Sequence, residues 1–379
     1  MLYPHPAKQN ESDRVGIHEI HSYQPACVLP NAWYESLMAR KFEKHTGIRE
    51  RAVAYEDEVS LASRVLDSVS AASPQAIEKC AGLVLVTPSI VPASVASQFM
   101  PRERARREQP TRMAVQLCNR AQLSPRKIVG INGFCSGYAK AMKIVLQKML
   151  PSLQLASDES ILVITSNRIS RITDFEDRQA GALFGDFATA TVLTRCDNRE
   201  MAPKYELLDA DYEKQPAYKA FFDFSMHENV LAPTPEGGRM REPKRLVFSL
   251  DGMGIADTAP RAMAAAASEM TRQNDLLPSD IEHIVPHQAG EAIVRLTGMK
   301  LEEAGFTCAP VNGLTASTGN VSSGSVPYAL QQNWDRLEGN ILCPVAAVGA
   351  PGKAEVSQGC VLLRSVDQAT ASRHSSRAA

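Results

Sequence analysis

The stretch that decides the reading is Gly130-Ile131-Asn132-Gly133-Phe134-Cys135-Ser136-Gly137-Tyr138. In front of it, Lys127-Ile128-Val129 reads as the end of a buried strand. Behind it, Ala139, Met142, Val145, Leu146 and Met149 recur at helical spacing. Cys135 therefore falls where a strand turns into a helix, and the glycines at 130, 133 and 137 permit a tight turn and close backbone approach. A thiol at a helix N-terminus meets unpaired N–H groups and the positive end of the dipole, which favour thiolate. That makes Cys135 a candidate nucleophile. A buried structural cysteine near a turn is the plain alternative for this motif on its own.

Outward from that turn, strand and helix patterns alternate. Towards the N-terminus, residues 15–23 read as a strand, and Asn31 as the N-cap of a helix over 32–44. The loop Thr46-Gly47-Ile48-Arg49-Glu50-Arg51 leads into a second strand. A helix over 60–72, a buried strand over 82–87 and a helix over 111–121 follow. Beyond Cys135 come a buried strand over 161–165 and another opened by Phe184-Gly185-Asp186. This succession implies an α/β layered architecture. Residues 196–245 are polar and punctuated by prolines and glycines, and read as a connecting region with some strand around 205–211. The pattern then resumes, with strands over 246–250, 281–285, 341–348 and 359–363 and helices over 258–270, 291–304 and 328–337. The chain thus divides into a half over 1–195 that carries Cys135 and a half over 196–379 that repeats the architecture.

The 379 residues are 44% hydrophobic and 22% charged, enough for a large core. A net charge of -1 gives no electrostatic footprint for nucleic acid. The eight cysteines show no CxxC spacing, so they read as reduced thiols of a cytoplasmic protein, with no disulfide frame or metal site. Residues 1–14 lack a signal-peptide core, and no segment approaches a membrane span.

Two motifs of the second half bear on Cys135. In Val285-Pro286-His287-Gln288-Ala289 a strand end runs into a helix, and strand C-terminal ends face the ligand crevice of open α/β sheets. In Gly319-Asn320-Val321-Ser322-Ser323-Gly324-Ser325-Val326-Pro327 a Gly/Ser-rich loop precedes a helix. Taken singly, the first suits a structural loop histidine and the second an ordinary N-cap.

Together, the Cys135, His287 and Asn320 motifs resemble, in order and spacing, the three catalytic motifs of the ketoacyl synthase III family of thiolase-fold condensing enzymes. The resemblance runs from about Val15 to Leu363 and includes Thr46–Arg51 and Phe184-Gly185-Asp186. It implies two similar βαβαβαββ halves in a five-layer αβαβα core, normally a homodimer. It implies Cys135 as the residue that accepts an acyl group from a thioester. His287 and Asn320 would bind the thioester carbonyl of a malonyl donor during decarboxylative condensation. The backbone N–H groups of Cys135 and Gly352 would form the oxyanion hole, with Gly352 matching loosely. No metal or cofactor is implied; the substrates and partners are coenzyme A or acyl-carrier-protein thioesters. Arg178 matches an adenine-contacting position.

The sequence also departs from that pattern. Lys41 replaces an adenine-stacking Trp and His45 an Arg. Ala292 stands where a basic carrier-docking residue is usual, with Arg295 about one turn further on. Phe187 and Thr189 replace small glycines. Residues 89–110 read as an insertion whose Arg102, Arg104, Arg106 and Arg107 offer a carrier-docking face or simply a solvated one. These departures point to a specialised enzyme of secondary metabolism. Acyl transfer to a hydroxyl or amine, head-to-head condensation on the same three residues, and a catalytically silent partner subunit are the alternatives.

Overall fold

The computed structural model describes residues 14–34, 42–88 and 109–366. The first half contributes β1 (Val15–Tyr23), β2 (Cys27–Pro30), β3 (Glu50–Val53), β4 (Cys80–Val86), β5 (Lys127–Ile131), β6 (Ser160–Asn167) and β7 (Phe187–Arg195). β1 pairs antiparallel with β7 and β7 antiparallel with β6, while β6 and β4, then β4 and β5, pair in parallel. The second half contributes β8 (Tyr205–Pro216), β9 (Phe222–Pro233), β10 (Arg239–Leu250), β11 (His283–Ile284), β12 (Asn340–Val348) and β13 (Glu355–Ser365). Here β8 pairs antiparallel with β13, β13 antiparallel with β12, and β12 parallel with β11. A parallel bridge from Ile284 to Pro310 stands where the fifth strand would be. Both halves therefore follow one pairing order. They join where Gly16 and Ile17 of β1 meet Glu206 and Tyr205 of β8. A Cβ on Gly16 would lie 2.3 Å from the Tyr205 carbonyl oxygen, so the junction needs a glycine.

Side-chain alternation along the strands sorts the layers. Leu83 and Leu85 of β4 pack outward against α1 (Glu58–Ala72) and α2 (Pro110–Arg120). The Asp57 carboxylate caps α1 by accepting from the Ser60 N–H, and Pro110 opens α2 where a missing N–H costs nothing. Val84 and Val86 point inward, onto α3 (Gly137–Ile144) and α6 (Ser325–Gln332), which also meet Cys343, Val345 and Val361 of the second half. Leu342 and Leu362 face the far side, under α4 (Gly252–Gln273) and α5 (Glu291–Glu303). The result is the αβαβα arrangement that the resemblance implies. Among the described residues no helix is long and apolar enough to cross a membrane.

Two readings of the sequence need correction. Residues 196–245 are not mainly a polar connection: β8 is a twelve-residue strand of the large sheet, and β9 and β10 form a long hairpin. The middle of that hairpin faces solvent, so its charged residues mask the strand pattern. The Asn31 side chain does not act as a helix cap, and of the helix read over 32–44 residues 42–44 are helical. Asn31 opens a 3-10 turn (Asn31–Tyr34), its Nδ2 donates to the Ile48 carbonyl (2.9 Å), and its Oδ1 accepts from Arg51 Nη2 (2.8 Å). Residues 35–41 lie outside the described residues, and the chain resumes in a short helix, Phe42–Thr46.

Candidate active site

Between the end of β5 at Ile131 and the start of α3 at Gly137 the chain reverses in five residues, with the Gly137 N–H donating to the Phe134 carbonyl (2.7 Å). A Cβ on Gly133 would fall 2.7 Å from the Gly137 Cα, and one on Gly137 would fall 2.6 Å from Val86 Cγ1 and 3.2 Å from Ser323 Cβ. Glycine is thus what lets the turn close against β4 and the loop before α6. Cys135 sits on this turn, part-exposed, with its Sγ 3.7 Å from Ser322 Oγ. Burial pushes its thiol up to about 11, while hydrogen bonds with Ser322, its own backbone and Asn320 pull the other way. The expectation of a thiolate from the turn alone is therefore corrected: the interior position outweighs the turn, and the resting group is a neutral thiol.

His287 follows β11 and precedes α5, its backbone N–H held by the Pro344 carbonyl (3.0 Å). Its buried ring bonds through Nδ1 to Ser325 Oγ (2.6 Å). Ser325 Oγ also accepts from the Gln288 N–H (3.3 Å), so its own hydrogen is directed to Nδ1 and the imidazole hydrogen is assigned to Nε2. Burial lowers the His287 pKa to about 3, so the ring is neutral at physiological pH.

Asn320 is fixed by a parallel bridge to Phe184: its N–H donates to the Leu183 carbonyl (2.9 Å), and its carbonyl accepts from the Gly185 N–H (3.2 Å). A Cβ on Gly185 would lie 1.9 Å from the Thr318 carbonyl oxygen, which explains the glycine of Phe184-Gly185-Asp186. The Asn320 Oδ1 accepts from the Ser322 N–H (2.9 Å), leaving Nδ2 as a donor towards Cys135. Asp186 has a structural part: its carboxylate accepts from the Ala54 and Ser170 N–H groups (2.7 and 3.0 Å), and burial raises its pKa to about 6.

Cys135, His287 and Asn320 line one cavity of about 300 Å³. Phe134, Phe184, Phe222 and Phe248 give it an apolar wall, with Phe134 edge-on to Phe222 (5.0 Å between ring centroids) and Phe184 edge-on to Phe248 (5.6 Å). Phe222 comes from a strand inside the region read as connection, where the alternation Phe222-Asp223-Phe224 is the available signal, and Phe248 from the strand read over 246–250. Ser322 and Ser325 were missed as partners of the three residues, their only signal being their place two and five residues after Asn320.

Of the other expected residues, Arg178, His45 and Ala292 lie on the cavity wall. Arg295 is exposed on α5 and is not part of that wall. Gly352 is corrected: its N–H donates to the Phe222 carbonyl (3.0 Å), and it does not line the cavity. That N–H ties the turn between β12 and β13 to the start of β9. Phe187 stacks edge-on with Tyr328 (5.0 Å) and Thr189 bonds Thr165 (2.8 Å), so both fill the core beside α6. Lys41 and Arg102, Arg104, Arg106 and Arg107 lie outside the described residues. Among the described residues no cluster of His, Cys, Asp and Glu is placed to hold a metal.

The groups available are a thiol and two neutral N–H donors lining one apolar cavity. Residues 129–212 match the family model of 3-oxoacyl-[acyl-carrier-protein (ACP)] synthase III, and residues 271–354 match the model of its C-terminal part. The chain is 26% identical over 317 residues to β-ketoacyl-[acyl-carrier-protein] synthase III of Paracoccus denitrificans, covering 81% of this chain and 86% of that one. Its fold matches the crystal structure of 3-oxoacyl-[acyl-carrier-protein] synthase III from Aquifex aeolicus at a TM-score of 0.64 and 21% identity, covering 92% and 99% of the two chains. It also matches the priming β-ketosynthase of the R1128 polyketide pathway at a TM-score of 0.62 and 20% identity, covering 93% and 96%. These matches enclose all three motifs, and on a thiolase fold the chain is similar in both halves to the ketoacyl synthases III.

Proposed function

We propose that the protein is a condensing enzyme that loads an acyl group onto Cys135 and joins it to a malonyl-type or β-keto thioester. The observation that carries this reading is the convergence of Cys135 with two neutral N–H donors, His287 Nε2 and Asn320 Nδ2, in one apolar cavity. In the first step the Cys135 sulphur attacks the thioester carbonyl, the carrier's C–S bond breaks, and the carrier leaves as a thiol with the proton that Cys135 gave up. In the second, a malonyl-type donor loses carbon dioxide from its free carboxylate, and the electron pair of the broken bond moves into an enolate. Its oxygen accepts hydrogen bonds from His287 and Asn320, which are favourable in a site of low polarity. The enolate carbon attacks the acyl group, and the Cys135 sulphur departs to regain a proton. A buried, neutral imidazole suits this work, because it donates without carrying a charge that the cavity would penalise.

The half over 1–195 would supply the nucleophile and the half over 196–379 both donors, with acyl-carrier-protein or coenzyme A thioesters as substrates and a homodimer as the working form. His45 and Ala292 on the cavity wall support a specialised member with its own substrate. Intact-protein mass spectrometry after incubation with a panel of acyl thioesters tests the first step. One acyl mass should appear, and Cys135→Ala should abolish it. His287→Ala and Asn320→Ala should keep the acyl mass and lose condensation. Condensation at the wild-type rate in both would remove decarboxylative chemistry from this site.

A further inference from the structure

We propose that Ser322 is a further catalytic residue, whose hydroxyl donates a hydrogen bond to the Cys135 sulphur and holds it as thiolate for attack on the thioester. This rests on the assignment of Cys135 as nucleophile. Three observations meet at Ser322. Its Oγ lies 3.7 Å from Cys135 Sγ, and among the described residues that hydroxyl has no other hydrogen-bond partner. The residue is fully buried. Its φ is +53°, the left-handed region that a side chain disfavours, and glycines at 319 and 324 show that the loop accommodates glycine nearby.

Backbone geometry alone would place a glycine at 322. That conformation is held by a bond any residue would make, from the 322 N–H to Asn320 Oδ1 (2.9 Å), so what the serine adds is its hydroxyl. The same bond orients the Asn320 amide, so one residue aims both the hydroxyl at the sulphur and the amide nitrogen at the cavity. In the resting thiol either atom of the Ser322–Cys135 pair can donate. Once the thiol proton is lost, the hydroxyl alone can, and the bond becomes charge-assisted and stronger. Ser322 keeps its own proton throughout; the thiol proton leaves with the departing carrier thiol. The other titratable groups on the cavity wall are His287, neutral by burial, and His45 and Arg178. None of these is hydrogen-bonded to the sulphur.

The test is the pH dependence of Cys135 alkylation by iodoacetamide, read peptide by peptide in wild type, Ser322→Ala and Ser322→Gly. It needs no substrate. Loss of the hydroxyl should raise the midpoint for Cys135 by about one pH unit, so that alkylation below the midpoint slows about tenfold. The other part-exposed cysteines, Cys27, Cys196 and Cys308, should keep their midpoints. Glycine suits the φ of +53°, so that variant decides the matter if the alanine variant fails to fold. An unchanged Cys135 midpoint in the folded glycine variant would overturn the proposal. A raised midpoint in a protein that never takes up an acyl group would uphold the Ser322 contact and sink the condensing reading instead.

Discussion

Replacing Ser325 by alanine should separate the two half-reactions. The Ser325 hydroxyl makes two bonds at once, to His287 Nδ1 (2.6 Å) and from the Gln288 N–H (3.3 Å), and all three residues are buried. Ser325→Ala leaves one ring nitrogen and one backbone N–H without partners. An unsatisfied buried polar group costs about 1–3 kcal/mol, and with some relaxation the pair should cost about 2 kcal/mol, or roughly 2–3 °C in Tm for a chain of this length. The larger effect is chemical. Without the hydroxyl donor, nothing fixes the imidazole hydrogen on Nε2, and the alternative tautomer offers the cavity an acceptor where a donor is needed. Removing one such donor from a preorganised site costs about 10²–10³ in rate. Because tautomer exchange removes it only part of the time, condensation should fall about 10–100-fold. Acyl loading, which uses Cys135, should change less than about twofold. The assay is single-turnover acylation by mass spectrometry beside steady-state condensation on the same preparation. Equal losses in both steps, or none in condensation, would refute the tautomer argument.

The remaining expectations concern pH, packing and substrate delivery. Because His287 titrates at about 3 when folded against an ordinary value near 6.5, stability is fully present above pH 6.5 and is lost as pH falls, by about 2 kcal/mol at pH 5. Urea unfolding from pH 7 to 5 should show that slope, and His287→Gln should flatten it; equal slopes in both would place the buried histidine elsewhere in the balance. Gly185→Ala would drive a methyl to 1.9 Å from the Thr318 carbonyl, so it should destabilise by more than about 3 kcal/mol or displace Asn320, and an unchanged Tm with full condensation contradicts that packing. Arg295→Ala should lower kcat/KM for a carrier-protein substrate in a salt-dependent manner while sparing the coenzyme A ester of the same acyl group, and equal effects on both would remove Arg295 from carrier docking.

Much of this was legible because strands and helices alternate cleanly and glycines mark the places where backbones touch. The strand, turn and helix around Cys135 fall within a residue or two of their sequence reading, and so do β12 and α5. What resisted reading had a physical cause in each case. The β9–β10 hairpin buries its aromatic end and exposes its middle, so period-two alternation is broken by Arg241, Glu242 and Lys244. Asn31 has the chemistry of a cap, yet Arg51, buried with no carboxylate hydrogen-bonded to it among the described residues, draws its side-chain oxygen away. The state of the Cys135 thiol depends on how deep the turn lies, which no local motif encodes.

The repeated pairing order of the two halves has a consequence for where chemistry can arise. Cys135 follows β5 and precedes α3; Asn320 follows the Pro310 bridge that takes the place of a fifth strand, and precedes α6. The Cys135 thiol and the Asn320 amide therefore occupy counterpart positions in the two copies of one architecture, brought nose to nose where a Cβ on Gly137 would graze Ser323. Neither copy encloses a cavity by itself. The cavity lies on the seam, where each copy delivers its group just ahead of a central helix, an electron-rich sulphur from one side and an electron-poor hydrogen from the other.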